Sequence, residues 1–225
     1  ATTRVSYGLL NLTHRDGPEH PEPLTPGQTY TVDVPMKHVA QTFRAGHRIR
    51  LALSTSYFPI AWPAPEPVEL RLLTEQSKLT LPLRDGDHSD AAAFGPPRAG
   101  EPLEQEEETP PTAEWTVTED RTTGRVTADI GVHEGAAHIV EHGLTHSAEC
   151  TERYSILPGD PTSAEGEVTW IHEMRRDAWV VRTVTHTHLS CDSTHFHLRA
   201  RMQAFEGDAT VRDETYTASI PRQAV

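Results

Sequence analysis

The sequence predicts an all-β protein, a strand sandwich in the first part followed by an antiparallel β-meander or half-barrel in the second. Three observations carry this prediction. Apolar residues alternate with polar ones at a period of two in segment after segment, as strands with one dry face require. Turn residues (Gly, Pro, Asp, Asn) separate these segments at short, regular intervals. No stretch carries a sustained 3.6-residue apolar stripe, so helix should be scarce.

Thr25-Pro-Gly27 is a turn signal, and residues 29–34 alternate as a strand that Pro35 closes. The clearest strand of the first half follows. Ile49, Leu51, Leu53 and Thr55 fall on one side, and Arg48, Arg50, Ser54 and Ser56 on the other. Gly46 marks the turn before it, and Phe58-Pro59 ends it, because proline cannot donate to a ladder. The prolines at 59, 63, 65 and 67 then stiffen an extended connection. Residues 68–73 and 79–83 are short apolar-rich strands.

From residue 85 to 112 the composition changes to proline and acid, with Pro96-Pro97, Pro102, Pro110-Pro111 and the run Glu104-Gln-Glu-Glu-Glu108. Such a stretch cannot bury enough apolar area to offset the entropy of ordering it. The predicted organisation is therefore a first module over residues 1–90, a linker over 91–111 and a meander module over 112–225.

In the meander, Val126, Ala128, Ile130 and Val132 share a face, with a turn expected at Glu134-Gly135. Val168, Trp170, His172 and Met174 share another. A turn at Arg176-Asp177 sets them beside Trp179, Val181, Thr183 and Thr185, and one at Cys191-Asp192 adds Phe196, Leu198, Ala200 and Met202 to the same dry face. Gly207-Asp208 turns the chain into a last strand over 209–220.

The first module also carries a resemblance. The runs Val5-Ser-Tyr-Gly-Leu-Leu-Asn-Leu-Thr-His-Arg15, Pro21-Glu-Pro-Leu-Thr-Pro-Gly27 and Tyr30-Thr-Val-Asp-Val-Pro35, with Gly46-His-Arg-Ile-Arg-Leu51 and Ser54-Thr-Ser-Tyr-Phe-Pro59, are its main motifs. They are joined by Trp62-Pro-Ala-Pro-Glu-Pro-Val68 leading into Glu69-Leu-Arg-Leu-Leu73. Together they resemble the C-terminal non-catalytic region of the X-Pro dipeptidyl-peptidase and cocaine esterase (CocE/NonD) type of serine hydrolase. The resemblance implies a galactose-binding-like jelly roll, here partial. It also implies that the partner is an α/β-hydrolase catalytic domain of the same parent protein. On this reading the chain is no enzyme by itself; it shapes the pocket and stabilises a hydrolase of esters or X-Pro peptide bonds. The resemblance further implies that strands preceding this region in the family lie outside the chain. The segments around 7–13 and 49–54 then lose neighbours, and a homodimer through a sheet edge or the first module's bare face is expected. Two other classes stay open, a carbohydrate-binding β-sandwich module and a small-ligand or lipid-binding barrel-like module.

Charge and cysteines exclude more than they assign. The 33 acidic residues against 20 basic give a net charge of −13, which repels phosphate backbones and anionic membranes, so no nucleic-acid or membrane partner is expected. Cys150 and Cys191 are the two cysteines, and two free thiols in a reducing cytoplasm are the preferred reading. No cofactor is implied. The Gly-x-Ser-x-Gly elbow does not occur, and no catalytic residue is assigned.

Two groups remain as candidate sites. Under the Cys191-Asp192 turn, His188 faces His195 and His186 faces His197, a patch of four imidazoles that could ligate zinc, copper or nickel. Arg182, Arg199 and Arg201 on the same side favour a plain solvated face. Tyr57, Phe58 and Trp62 form an aromatic group fit for a substrate contact or a domain interface. His172, between tryptophan and methionine on the dry face, reads as a hydrogen-bonded core histidine.

Overall fold

A computed structural model describes residues 2–83 and 95–222. Residues 84–94, which contain the end of the first predicted module and the start of the predicted linker, lie outside the described residues, as do residue 1 and residues 223–225. The fold is all-β. One open antiparallel sheet holds β1 (Gln105–Thr109), β2 (Thr112–Glu119), β3 (Val126–Ile139), β4 (Leu144–Leu157), β5 (Asp160–Arg176), β6 (Trp179–Cys191), β7 (His195–Glu206) and β8 (Ala209–Pro221). From β3 to β8 each strand pairs with its neighbour in sequence, a plain meander.

β1 and β2 share one edge of β3. β1 pairs with residues 136–139 and β2 with residues 126–133. Pro110-Pro111 separates them, since proline offers no N–H to the ladder. β3 bulges at the same level, between His133 and Ala136. Gly135 holds φ 84° there, and a Cβ on it would run into the Thr109 carbonyl oxygen, so only glycine fits. This corrects two expectations. Glu134-Gly135 is a bulge inside a 14-residue strand rather than a turn. The acidic end of the predicted linker forms a strand, because Glu108 is held from two strands: Thr145 Oγ1 donates to it at 3.1 Å, and Arg175 makes an ion pair with it.

The β5–β6 hairpin turns on Asp177, in the left-handed region at φ 50°. Its register sets Trp170 opposite Thr185 and Met174 opposite Val181, the face shared as the alternation predicts. The β6–β7 register departs from the prediction by about two residues along each strand. His188 lies opposite Arg199 and His186 opposite Arg201, while Cys191 pairs with Phe196. The cause is Asp192. Its carboxylate accepts from the backbone N–H groups of Thr194 (2.6 Å) and His195 (2.8 Å), so the loop is built around the aspartate and closes later than a two-residue turn.

The N-terminal part behaves differently. Its predicted turns are present: Gly27 and Gly46 hold φ 82° and 86°, closed by Gln28 N–H to Thr25 O and His47 N–H to Arg44 O. The predicted strands between them are unpaired. Among residues 2–83 the regular structure is two short 3₁₀ turns, Leu12–His14 and Thr74–Gln76. Residues 29–34, 49–55 and 68–73 have no ladder, and the apolar row they were expected to bury is open, Leu51 being 55 % exposed. Alternation makes a segment ready to be a strand, but a ladder needs a paired neighbour; among the described residues the nearest approach to one is between residues 6–8 and 34–37, where Lys37 N–H donates to the Tyr7 carbonyl at 2.9 Å without a ladder forming.

The core is correspondingly thin. Among the described residues the buried apolar side chains are Pro63, Ala148, Cys150 and Ala164, and no large side chain is fully buried. Both cysteines are free thiols.

Candidate functional site at the junction of segment and sheet

The turn after Phe58 folds residues 57–63 onto the dry face of the sheet. Ala61 N–H closes on the Tyr57 carbonyl at 3.0 Å, which brings Phe58 and Trp62 to the same side. Phe58 meets Trp62 edge-on at 5.6 Å and Tyr154 of β4 edge-on at 6.2 Å; Trp62 meets Phe196 of β7 edge-on at 5.9 Å. Edge-to-face geometry sets the positive rim of one ring against the negative face of the next, which is how four rings from three regions interlock without a slot between them. Gly166 of β5 makes room: a Cβ there would touch the Tyr154 ring at 3.1 Å and Trp62 at 3.7 Å.

Polar groups tie down the rest. The Trp62 indole N–H donates to Cys191 Sγ at 3.1 Å. Arg222, just past β8 and buried, donates to the carbonyls of Pro63 (2.5 Å) and Asp192 (3.1 Å) and lays its guanidinium 4.7 Å from the Phe196 ring centre. A buried guanidinium needs its donors used, and carbonyl oxygens plus an aromatic face supply that. Tyr57, the third predicted aromatic, turns away toward Tyr7 at 6.1 Å, and its hydroxyl accepts from Arg4. The structure thus brings Phe58 and Trp62 together at a contact between the N-terminal segment and the sheet and leaves Tyr57 in the segment.

Two groups on the dry face are shifted toward their neutral forms. Burial, and then the Glu152 carboxylate to which its hydroxyl donates at 2.6 Å, pushes the Tyr154 phenol up to about 12. Burial likewise raises the Cys150 thiol, aided by Glu152, the opposite of what an activated thiolate needs. Asp192 is driven well below the carboxylate range by the Thr194 backbone N–H and then by His197, at 2.9 Å. It is an organiser of a loop. These are edge-on rings and satisfied donors, the arrangement of a joint.

The four histidines are not assembled into one patch. His186 bonds Thr169 Oγ1 at 3.0 Å, His188 sits 3.8 Å from Glu165, and His195 and His197 stack at 6.3 Å beside the Asp192 loop. Among the described residues no three His, Cys, Asp or Glu side chains come together as a metal site. His172 is exposed and stacks flat on Trp170 at 5.3 Å, so it is no core histidine. The polar face carries a depression of ≈ 440 Å³ lined by Glu114, Asp129, Arg153, Glu167 and His186 among others; its Asp129 and Arg153 are already paired at 2.6 Å.

Comparison with known proteins bears on the segment that forms the joint. The family model of the X-Pro dipeptidyl-peptidase C-terminal non-catalytic domain matches residues 1–94. That is the family the motifs indicate. The match takes in Tyr57, Phe58, Trp62 and Pro63 and leaves out the eight-stranded sheet on which they rest. The matched family is described as non-catalytic. No curated protein and no solved structure matches the chain. No helix among the described residues is long and apolar enough to cross a membrane.

Sequence reasoning singled out Phe58 and Trp62 but missed Tyr154, Phe196 and Arg222. The alternation that places Tyr154 and Phe196 on the dry face was a usable signal. Nothing in the sequence around Arg222 marks it.

Proposed function

We propose that the chain is a non-catalytic C-terminal region that docks on an α/β-hydrolase catalytic domain of the same protein, where it shapes the substrate pocket and steadies the enzyme. The parent activity on this reading is hydrolysis of esters or X-Pro peptide bonds, in the cytoplasm. One observation carries it: residues 49–55 and 68–73, inside the family match, are apolar on alternate positions, exposed and without ladder partners, and residues 29–34 likewise have no ladder. Backbone groups and leucines arranged in this way are the half of a contact that another body completes. The joint at Phe58, Trp62 and Arg222 fixes the stretch between residues 49–55 and 68–73 to the sheet, so the sheet serves as its anchor. On this reading the modules divide near residues 1–90 and 112–225, with the connection between them reduced by the strand at Gln105–Thr109.

The experiment is reconstitution. The purified chain should hydrolyse neither esters nor X-Pro peptides. Added to the hydrolase domain of an X-Pro dipeptidyl-peptidase stripped of its own C-terminal region, it should bind and raise that domain's stability and turnover. Turnover by the chain alone that survives repurification would sink the proposal, and so would failure to bind. Nothing specific favours a sugar-binding module, since Phe58 and Trp62 spend their edges on each other and on the sheet rather than forming an open platform. Nor does the meander close into a lipid-holding barrel: β8 ends it as an open edge.

A further inference from the structure

The charge of the chain is unevenly placed. Residues 105–221, which span the sheet, hold 21 of the 33 acidic residues and 9 of the 20 basic ones, whereas residues 1–83 hold 7 and 8. The acidity therefore belongs to the sheet, and the segment inside the family match is close to neutral. Within that segment Arg44, Arg48 and Arg50 fall within seven residues, and no acid lies between Asp33 and Glu66. All three arginines are exposed, and among the described residues none of their guanidinium groups has a hydrogen-bond or ion-pair partner. Elsewhere arginines are engaged: Arg15, Arg71, Arg153, Arg175, Arg201 and Arg212 each hold a carboxylate. The free guanidiniums run into the apolar row of Ile49, Leu51 and Leu53, each more than half exposed. Gly46, at φ 86°, turns the chain between Arg44 and Arg48, and His47 N–H closes that turn on the Arg44 carbonyl at 3.1 Å.

We infer that residues 44–53 are the strip by which the segment seats on the hydrolase domain, and that the surface they meet carries carboxylates beside an apolar channel. This rests on the docking proposed above and adds the chemistry the partner must offer. All three cations of the strip are arginines. A guanidinium is weakly hydrated, and its planar fork of donors matches a carboxylate two bonds at a time, which is why arginine is enriched at interface centres where lysine is depleted. An apolar row alone would suit any dry surface. Arg48 and Arg50 alternating with Ile49 and Leu51 demand more, because a one-residue slip would set guanidiniums against the channel and apolar side chains against the carboxylates. The sheet settles the orientation. Its excess of acid repels the same carboxylates that attract the strip, so the chain approaches with residues 44–53 foremost and the sheet held away. That excess equally disfavours nucleic acid and anionic membranes, whose phosphates extend too far to meet the strip without meeting the sheet.

Titration calorimetry tests it, with the whole chain, the hydrolase domain of an X-Pro dipeptidyl-peptidase stripped of its own C-terminal region, and salt between about 50 and 500 mM. Affinity should fall as salt rises. Arg48→Glu with Arg50→Glu should weaken binding roughly tenfold or more at the lowest salt and flatten the salt dependence. Circular dichroism should keep its strand signal, because both side chains are exposed and unpartnered. Arg48→Gln with Arg50→Gln should act in the same direction and by less. Arg121→Glu with Arg176→Glu, in the β2–β3 loop and at the end of β5, changes the net charge equally and should leave affinity within about threefold. Binding indifferent to both strip variants overturns the inference and leaves the docking standing. Equal weakening by the Arg121 and Arg176 pair overturns it as well, since net charge alone would then be acting. No binding by the unaltered chain removes the docking and the inference together. Tighter retention on phosphatidylserine vesicles than on the hydrolase domain also overturns it, because a phosphate surface would then be the partner of the strip.

Discussion

Replacing Trp62 by alanine should detach the N-terminal segment from the sheet without melting the sheet. Truncating a fully buried tryptophan costs about 3–5 kcal/mol. Trp62 is only partly buried, so about half of its packing is at stake, together with two edge-on ring pairs worth roughly 0.5–1.5 kcal/mol each that overlap with that packing. The weak donation to Cys191 adds little. A loss of about 2–3 kcal/mol follows, which shifts the docked-to-free ratio by a factor of about 30 to 150. Arg222 still holds the Pro63 carbonyl, so the detachment is partial. Hydrogen exchange read peptide by peptide is the assay. Amides of residues 57–63 should lose protection while those of β5, β6 and β7 keep theirs. If protection falls equally throughout the sheet, Trp62 is part of one cooperative core and the picture of an anchored segment is wrong. If nothing changes, the ring cluster contributes no docking energy and the reasoning fails at its first step.

Further outcomes follow from other sites. Spectrophotometric titration of the five tyrosines should show Tyr30 ionising early, because the Thr25 backbone N–H favours its phenolate, and Tyr154 last, near pH 12. Since the folded Tyr154 value lies above the unfolded one of about 10, its contribution to stability is complete below pH 10 and is lost as pH rises toward 12; Tyr154→Phe should abolish the late phase. Glu108 is shifted the other way, chiefly by its hydrogen bond to Arg175, so the attachment of β1 is complete above the usual glutamate range and is lost as pH falls below it. Exchange at residues 105–109 should rise on acidification before that of β6 does, and simultaneous fraying would contradict the assignment. Gly135→Ala, with its Cβ driven against the Thr109 carbonyl oxygen and φ at 84°, should cost about 1–3 kcal/mol in thermal denaturation and loosen β1 first. A neutral substitution there would mean the bulge relaxes freely.

Much of the sheet was legible because a period of two with polar turns leaves few alternatives. The face that Trp170, Met174 and Val181 share with Phe196 and Leu198 of β7 shows in the alternation alone. The slip in the β6–β7 register came from a single side chain, since Asp192 binds its own loop's N–H groups and moves the turn. The strand at Gln105–Thr109 was hidden because its acid run looks like a linker until Arg175, 67 residues beyond Glu108, is known to face it. The joint was half visible. Phe58 and Trp62 stood out as aromatics, but the partners that give them a role come from β4, β7 and the residue after β8. The unpaired strands of residues 2–83 show the limit of pattern: the alternation at Ile49, Leu51 and Leu53 names the side fit for burial, which stands open here, and says nothing about which body would bury it.

That body is the central claim, and hydrogen exchange on the reconstituted pair tests it most directly. With the hydrolase domain bound, amides in residues 29–34, 49–55 and 68–73 should become protected while the eight-stranded sheet changes little. Binding that leaves those three segments exchanging as they do in the free chain would contradict the account.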